Sequence, residues 1–189
     1  MVGINDSLKS DDALLIVDVQ KDFCPGGALP VEGGDMIVTV INRWIAAAVA
    51  RSVPIYATRD WHPMGHLSFK EGGGPWPPHC IQDSDGAKFH PALALPNSAI
   101  IVTKGVRFDQ DQNSAFDQTG LAVQLHKDGI RRLWVAGLAE DVCVLATVLD
   151  GRREGFDVLL IANATRPITS ESGEQARQQM QAAGARIVA

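Results

Sequence analysis

Apolar residues along this chain come in two rhythms. Short runs dense in Val, Ile and Leu (ALLIV at 13–17, VPIYAT at 53–58, AIIVT at 99–103, IRRLWVA at 130–136, FDVLLIA at 156–162 and RIV at 186–188) read as strands. Between them lie stretches of helical spacing at 34–51, 121–127, about 142–149 and 171–183. Strands that are apolar throughout, and separated by helices, form a parallel sheet covered on both faces. The pattern predicts a six-stranded, three-layer α/β fold in a single domain spanning 1–189.

In open sheets of this kind ligands bind beyond the carboxyl ends of the strands. The first run ends in Asp18, the second in Arg59, Asp60 and His62, the third in Lys104, and the fourth leads into GLAEDVCVLAT (137–147), which carries Cys143. One rim thus receives an acid, an acid with an imidazole, a cation and a thiol.

Asp141 is a candidate N-cap for the helix that follows, which puts Cys143 in its first turn. There, free N–H groups and the helix dipole favour a thiolate. A small buried hydrophobe is the competing reading of that stretch taken alone. With Lys104 and Asp18 beside it, Cys143 has the parts of a nucleophilic amide hydrolase. Asp18 takes the thiol proton and later hands it to the leaving nitrogen, Lys104 holds both groups in register, and the N–H groups of Ala139 and Cys143 serve the oxyanion. His126, the nearest histidine in sequence, falls in a predicted surface helix and reads as solvated, against a papain-type pair.

The segment TRDWHPMGHLSF (58–69) places Asp60 and His62 two apart on extended chain, hence on one face. His79 arrives later in GPWPPHC, and His66 is a further candidate ligand. This set suits Zn²⁺, Fe²⁺ or Mn²⁺. The loop of about forty residues from Asp60 to Ala99 is too long for a mere connection. His90 reads as structural.

Composition narrows the partners. The chain has 189 residues, 46% of them hydrophobic, and a net charge of −5, which gives no electrostatic reason for nucleic acid or an anionic membrane as partner. The partner expected is a small molecule, and the sequence leaves open whether the chain forms a homo-oligomer. The start of the chain has no signal-peptide pattern and no apolar run long enough to span a bilayer, which predicts a cytoplasmic protein. Three widely separated cysteines (Cys24, Cys80 and Cys143) argue against a disulfide framework.

Five stretches, VDVQKDFCPGGALPV, TRDWHPMGHLSF, WPPHCIQDSDGAKFHP, VTKG and GLAEDVCV, together resemble the nicotinamidases within the isochorismatase-like cysteine hydrolases. The likeness runs from about Asp11 to Arg166. It implies strand order 3-2-1-4-5-6 and Asp18, Lys104 and Cys143 as the triad. It also implies Asp60, His62 and His79 as ligands of a divalent metal, usually zinc or iron, that binds the pyridine nitrogen. Phe23 and Trp76 would wall the ring, with ordinary core packing as their alternative, and Leu138–Ala139 would be a cis peptide. The activity implied is hydrolysis of nicotinamide to nicotinate and ammonia, in NAD salvage. A sister amidase for another small amide or ureido acid is the alternative. The chain departs from the family at Pro78, where Asp is common, at Glu140, where Thr is common, and over 163–166.

Overall fold

A computed structural model describes residues 8–189. Its centre is one six-stranded sheet in the order β3-β2-β1-β4-β5-β6, parallel at every pairing. The strands are β1 (Asp12–Val17), β2 (Ile55–Asp60), β3 (Ile100–Lys104), β4 (Arg132–Leu138), β5 (Asp157–Arg166) and β6 (Arg186–Val188). The helices are α1 (Val38–Ala50), α2 (Leu121–Lys127), α3 (Leu145–Arg153) and α4 (Ser170–Ala182). Each predicted run is a strand and the order is the one the resemblance implies.

Strand alternation sends successive side chains to opposite faces, so the sheet builds two cores. Leu14 and Ile16 of β1 join Trp134 and Ala136 of β4 under Ile41, Trp44 and Ala48 of α1. Ala13, Leu15 and Val17 join Val135 and Leu160 under Leu125 of α2, Val148 of α3 and Met180 of α4. Burying one such aliphatic side chain contributes about 1.5–3 kcal/mol. Helices cover both faces, as expected, with one on the first and three on the second.

Of the boundaries that differ from the sequence reading, three matter most for the rim. The second strand begins and ends two residues later, so Asp60 is its last residue and stands in register with Lys104, the last of β3. β5 runs on to Arg166 through an irregularity: Val135 pairs with Leu160, but Gly137 pairs with Thr165. The third boundary is the start of the helix after β4. It opens with a π-helical turn at Glu140–Val144 and continues as α3 to Arg153. Asp141 does not cap it. Ala139 stands at the cap position, and the Asp141 carboxylate instead accepts from the Ile168 N–H (3.0 Å) and Ser172 Oγ (2.5 Å), tying the turn to α4. α4 has its own capping box, between Thr169 and Ser172.

The long loop is held by buried polar side chains from the β1 exit. Gln20 donates to the carbonyls of Asp60 and Ala87 (2.8 Å each) and accepts from the Asp60 N–H (2.8 Å). The Asp22 carboxylate accepts from the N–H groups of Cys80 (2.7 Å) and Ala28 (3.1 Å). Gly86 lies so close to that carboxylate that a Cβ there would sit 2.2 Å from its oxygens. Among the described residues no helix is long and apolar enough to cross a membrane.

Candidate active site

Three strand ends place the first cluster. Asp18 directly follows β1 with φ at +48°, a left-handed conformation that Asp tolerates better than most residues. Its N–H donates to Thr58 Oγ1 (3.1 Å), and that hydroxyl donates back to Asp18 Oδ1 (2.6 Å). Thr58 and Asp60 share a face of β2 by the two-residue alternation of a strand. Lys104 closes β3 fully buried, with Nζ 2.8 Å from Asp18 Oδ2 and 2.6 Å from Asp60 Oδ1. The same Nζ donates to Cys143 Sγ at 3.5 Å and to the Gln112 carbonyl at 3.3 Å. Ligand atoms of Asp18, Asp60 and Cys143 all lie within 4.8 Å of one another. Sulfur, carboxylate and ammonium therefore meet in one buried cluster.

The charges set the protonation. Burial drives the Asp18 carboxyl up to about 6; Lys104 opposes this and Asp60 adds to it. Asp60 stays well below the usual carboxylate range, because the Lys104 charge and the His62 hydrogen bond outweigh its burial. Burial disfavours the Lys104 cation, yet the facing carboxylates of Asp18 and Asp60 hold it firmly protonated. Cys143 corrects the sequence reading. Burial first, then Asp18 and Asp60, push its thiol well above the ordinary value, against the pull of Lys104. A first-turn position is not enough to hold a thiolate when the sulfur is buried and two carboxylates face it as well.

A second cluster adjoins the first through Asp60. The ligand atoms of Asp60, His62 and His79 lie within 4.8 Å of one another, and His62 Nε2 is 3.7 Å from Asp60 Oδ2. Both imidazoles are buried and oriented by carbonyl groups. His62 Nδ1 donates to Gly105 O and His79 Nδ1 donates to Pro77 O, each at 2.8 Å. With each Nδ1 so engaged, Nε2 is the nitrogen each ring has to offer an ion, the arrangement that fixes metal-ligating histidines. One carboxylate and two such imidazoles fit a divalent ion with positions to spare. Pro78 leaves this intact, since His79 is aimed by the carbonyl of Pro77.

His66 falls on the far side of His62. Its ring stacks on His62 at 4.4 Å, its Nδ1 is 2.7 Å from Ser68 Oγ, and it groups with His62 and Asp111 rather than with Asp60 and His79. Burial lowers the pKa of both His66 and His79. His62 differs: burial alone would lower it, but Asp60 beside it turns the net shift upward.

A pocket with about 600 Å³ of empty space, its open mouth included, joins the two clusters. Cys143, Asp60, His62 and His79 reach it, Phe23 and Trp76 line it, and Ala139 contributes at the strand-to-helix turn. The Leu138–Ala139 peptide is cis. Glu140 turns away. Its buried carboxylate accepts from Thr165 Oγ1 and pairs with Arg177 Nε (3.1 Å), so its charge is engaged away from the thiol. Thr165 reaches it because β5 continues past 162. His126 is also elsewhere, its ring stacked on Phe156 at 4.5 Å and its Nε2 3.1 Å from the Glu154 carbonyl. His90 accepts from the Ala92 N–H (3.2 Å), a local structural role.

Sequence reasoning missed Thr58, Gly105, Asp111 and Asn113. Thr58 had a signal in its two-residue offset from Asp60. The others depend on how the loop after β3 folds back.

The Isochorismatase domain family matches residues 12–189. The nicotinamidase of Escherichia coli K12 is 38% identical to this chain over 198 residues, covering 93% of each. The nicotinamidase of Acinetobacter baylyi is 36% identical, over 91% of this chain and 89% of its own. The crystal structure of the pyrazinamidase of Pyrococcus horikoshii in complex with zinc is 43% identical with a TM-score of 0.91, covering 94% of this chain and 98% of that one. A structure from L. infantum in complex with nicotinate is 39% identical with a TM-score of 0.88, over 95% and 92%.

Proposed function

The chain belongs to the isochorismatase family, and on that premise we propose that it is a nicotinamidase, hydrolysing nicotinamide to nicotinate and ammonia. The observation that carries the reading is Lys104 Nζ lying 2.8 Å from Asp18 and 3.5 Å from Cys143 Sγ, beside a pocket that Asp60, His62 and His79 also line. The relatives named as nicotinamidases and the nicotinate-bound structure support the substrate. Cytoplasmic location and service in NAD salvage belong to the same proposal.

Asp18, Lys104 and Cys143 are the catalytic groups. The resting sulfur is a thiol, so its proton leaves as it attacks. Asp18, ionised above about pH 6, accepts that proton while the sulfur bonds to the carboxamide carbon. The carbonyl oxygen gains negative charge, and the N–H groups of Ala139 and Cys143 are the donors assigned to it. Asp18 then returns the proton to the nitrogen, the C–N bond breaks and ammonia leaves. In the second half Asp18 takes a proton from water, the hydroxide oxygen displaces sulfur from the thioester, Asp18 returns the proton to the sulfur, and the acid ionises and departs as nicotinate. Lys104 remains charged throughout and keeps Asp18 and the sulfur in register.

Asp60, His62 and His79 would hold the divalent ion. The zinc-bound pyrazinamidase supports zinc among the candidates Zn, Fe and Mn. When bound, the ion supplies a Lewis acid for the pyridine nitrogen, which fixes the ring between Phe23 and Trp76. Steady-state ammonia release should give a higher kcat/KM for nicotinamide than for aliphatic amides or ureido acids. A preference for a ureido acid would transfer the chain to a sister amidase.

A further inference from the structure

Asn113 stands on the pocket wall beside the sulfur, and its side chain has one polar contact given among the described residues, Oδ1 at 3.8 Å from Cys143 Sγ. It caps no helix and closes no turn. Yet the chain around it is fixed on both sides. The Gln112 carbonyl accepts from Lys104 Nζ (3.3 Å), and the Gln112 side chain accepts from Val106 N–H (3.2 Å) and donates to the Asp117 carbonyl (2.6 Å). Ser114 is buried, and the Ala115 N–H donates to Thr147 Oγ1 (3.0 Å) on α3. Lys104 and the helix of the nucleophile thus hold Asn113 from two directions, which pre-orients its amide toward the reacting sulfur.

A primary carboxamide brings an oxygen that accepts and an NH₂ that donates twice. The oxygen has its donors at the Ala139–Cys143 turn, but the NH₂ needs acceptors. Lys104 is a donor only, and Asp18 is occupied with the thiol proton during attack. Of the other lining side chains, Ala139, Val142 and Ile168 are apolar, Asp111 already accepts from the Gln112 N–H (2.9 Å) and Ser68 is engaged with His66 Nδ1 (2.7 Å). Asn113 Oδ1 is a neutral acceptor 3.8 Å from the sulfur, within reach of a nitrogen bonded to the carbon that the sulfur attacks.

We propose that Asn113 is a specificity-determining residue that accepts a hydrogen bond from the carboxamide NH₂, selecting primary amides and aligning the leaving nitrogen. The proposal rests on the nicotinamidase reading only in taking a primary carboxamide as substrate. The test uses the metal-loaded full chain with Asn113→Leu and Asn113→Ala. The probes are nicotinamide as substrate and pyridine-3-carbaldehyde as competitive inhibitor. The thiol adds to this aldehyde, S–C forming and the proton passing to oxygen, so the adduct keeps the oxygen and has no nitrogen.

Both variants should lose roughly 10–100-fold in kcat/KM for nicotinamide, the range for one lost hydrogen bond to substrate. The aldehyde Ki should stay within about twofold, which also reports an intact site. An equal loss with both probes would make Asn113 an oxyanion donor or a structural residue and would overturn the proposal, as would unchanged nicotinamide turnover. Wild-type protein that released no ammonia from nicotinamide would overturn the substrate reading instead. The comparison would then be run with the primary amide it does hydrolyse and the matching aldehyde, with the same two results deciding.

Discussion

At the scale of single residues the site is a problem in buried charge. Asp18, Asp60 and Lys104 sit together out of water, and one cation serves two carboxylates. Removing one partner of such a set leaves uncompensated charge and costs about 3–5 kcal/mol. Lys104→Met should therefore lose that order of stability in a denaturant titration, together with turnover. On the proposed mechanism the acid limb of activity belongs to Asp18. Its folded pKa is raised to about 6, so the base form is present above that value and is lost as the pH falls through it. The pH profile of kcat/KM for nicotinamide should fall about tenfold per unit below pH 6. A profile still flat at pH 5 would remove Asp18 from the role of base. The four groups at the strand ends were legible in the sequence because parallel sheets bring these ends to one rim. The protonation of Cys143 was not, since it depends first on how deeply the sulfur is buried and then on which carboxylates face it.

At the scale of elements, register does the positioning. Asp60 and Lys104 are the last residues of adjacent strands and are paired there, which no run of apolar residues discloses to within two positions. The alternation of strands and helices fixed the sheet, whereas the π-helical turn before α3 and the extension of β5 to Arg166 are responses to contacts between Glu140, Thr165 and α4. The loop after β3 positions His62 from behind. Gly105 has φ +67°, and a Cβ there would lie 2.5 Å from His62 Cε1. Gly105→Ala should displace that imidazole and weaken zinc binding roughly 10–100-fold, the usual effect of disturbing the groups behind a ligand. Competition against a chromogenic chelator measures it, and unchanged affinity would take His62 out of the ligand set.

At the scale of the whole molecule, two clusters from distant parts of the chain share Asp60, so ion binding and the state of Lys104 are linked. Treatment with a chelator should abolish ammonia release and lower the thermal midpoint. Adding zinc at 100 times its Kd should restore about 2.7 kcal/mol of stability by mass action. Retained turnover in metal-free protein would separate the ion from the reaction. The central claim is that sulfur, and not metal-bound water, attacks the amide. The measurement that tests it most directly is ammonia release from nicotinamide by the metal-loaded Cys143→Ala protein. The account predicts none above background while nicotinamide still binds. Ammonia release near the wild-type rate would contradict it.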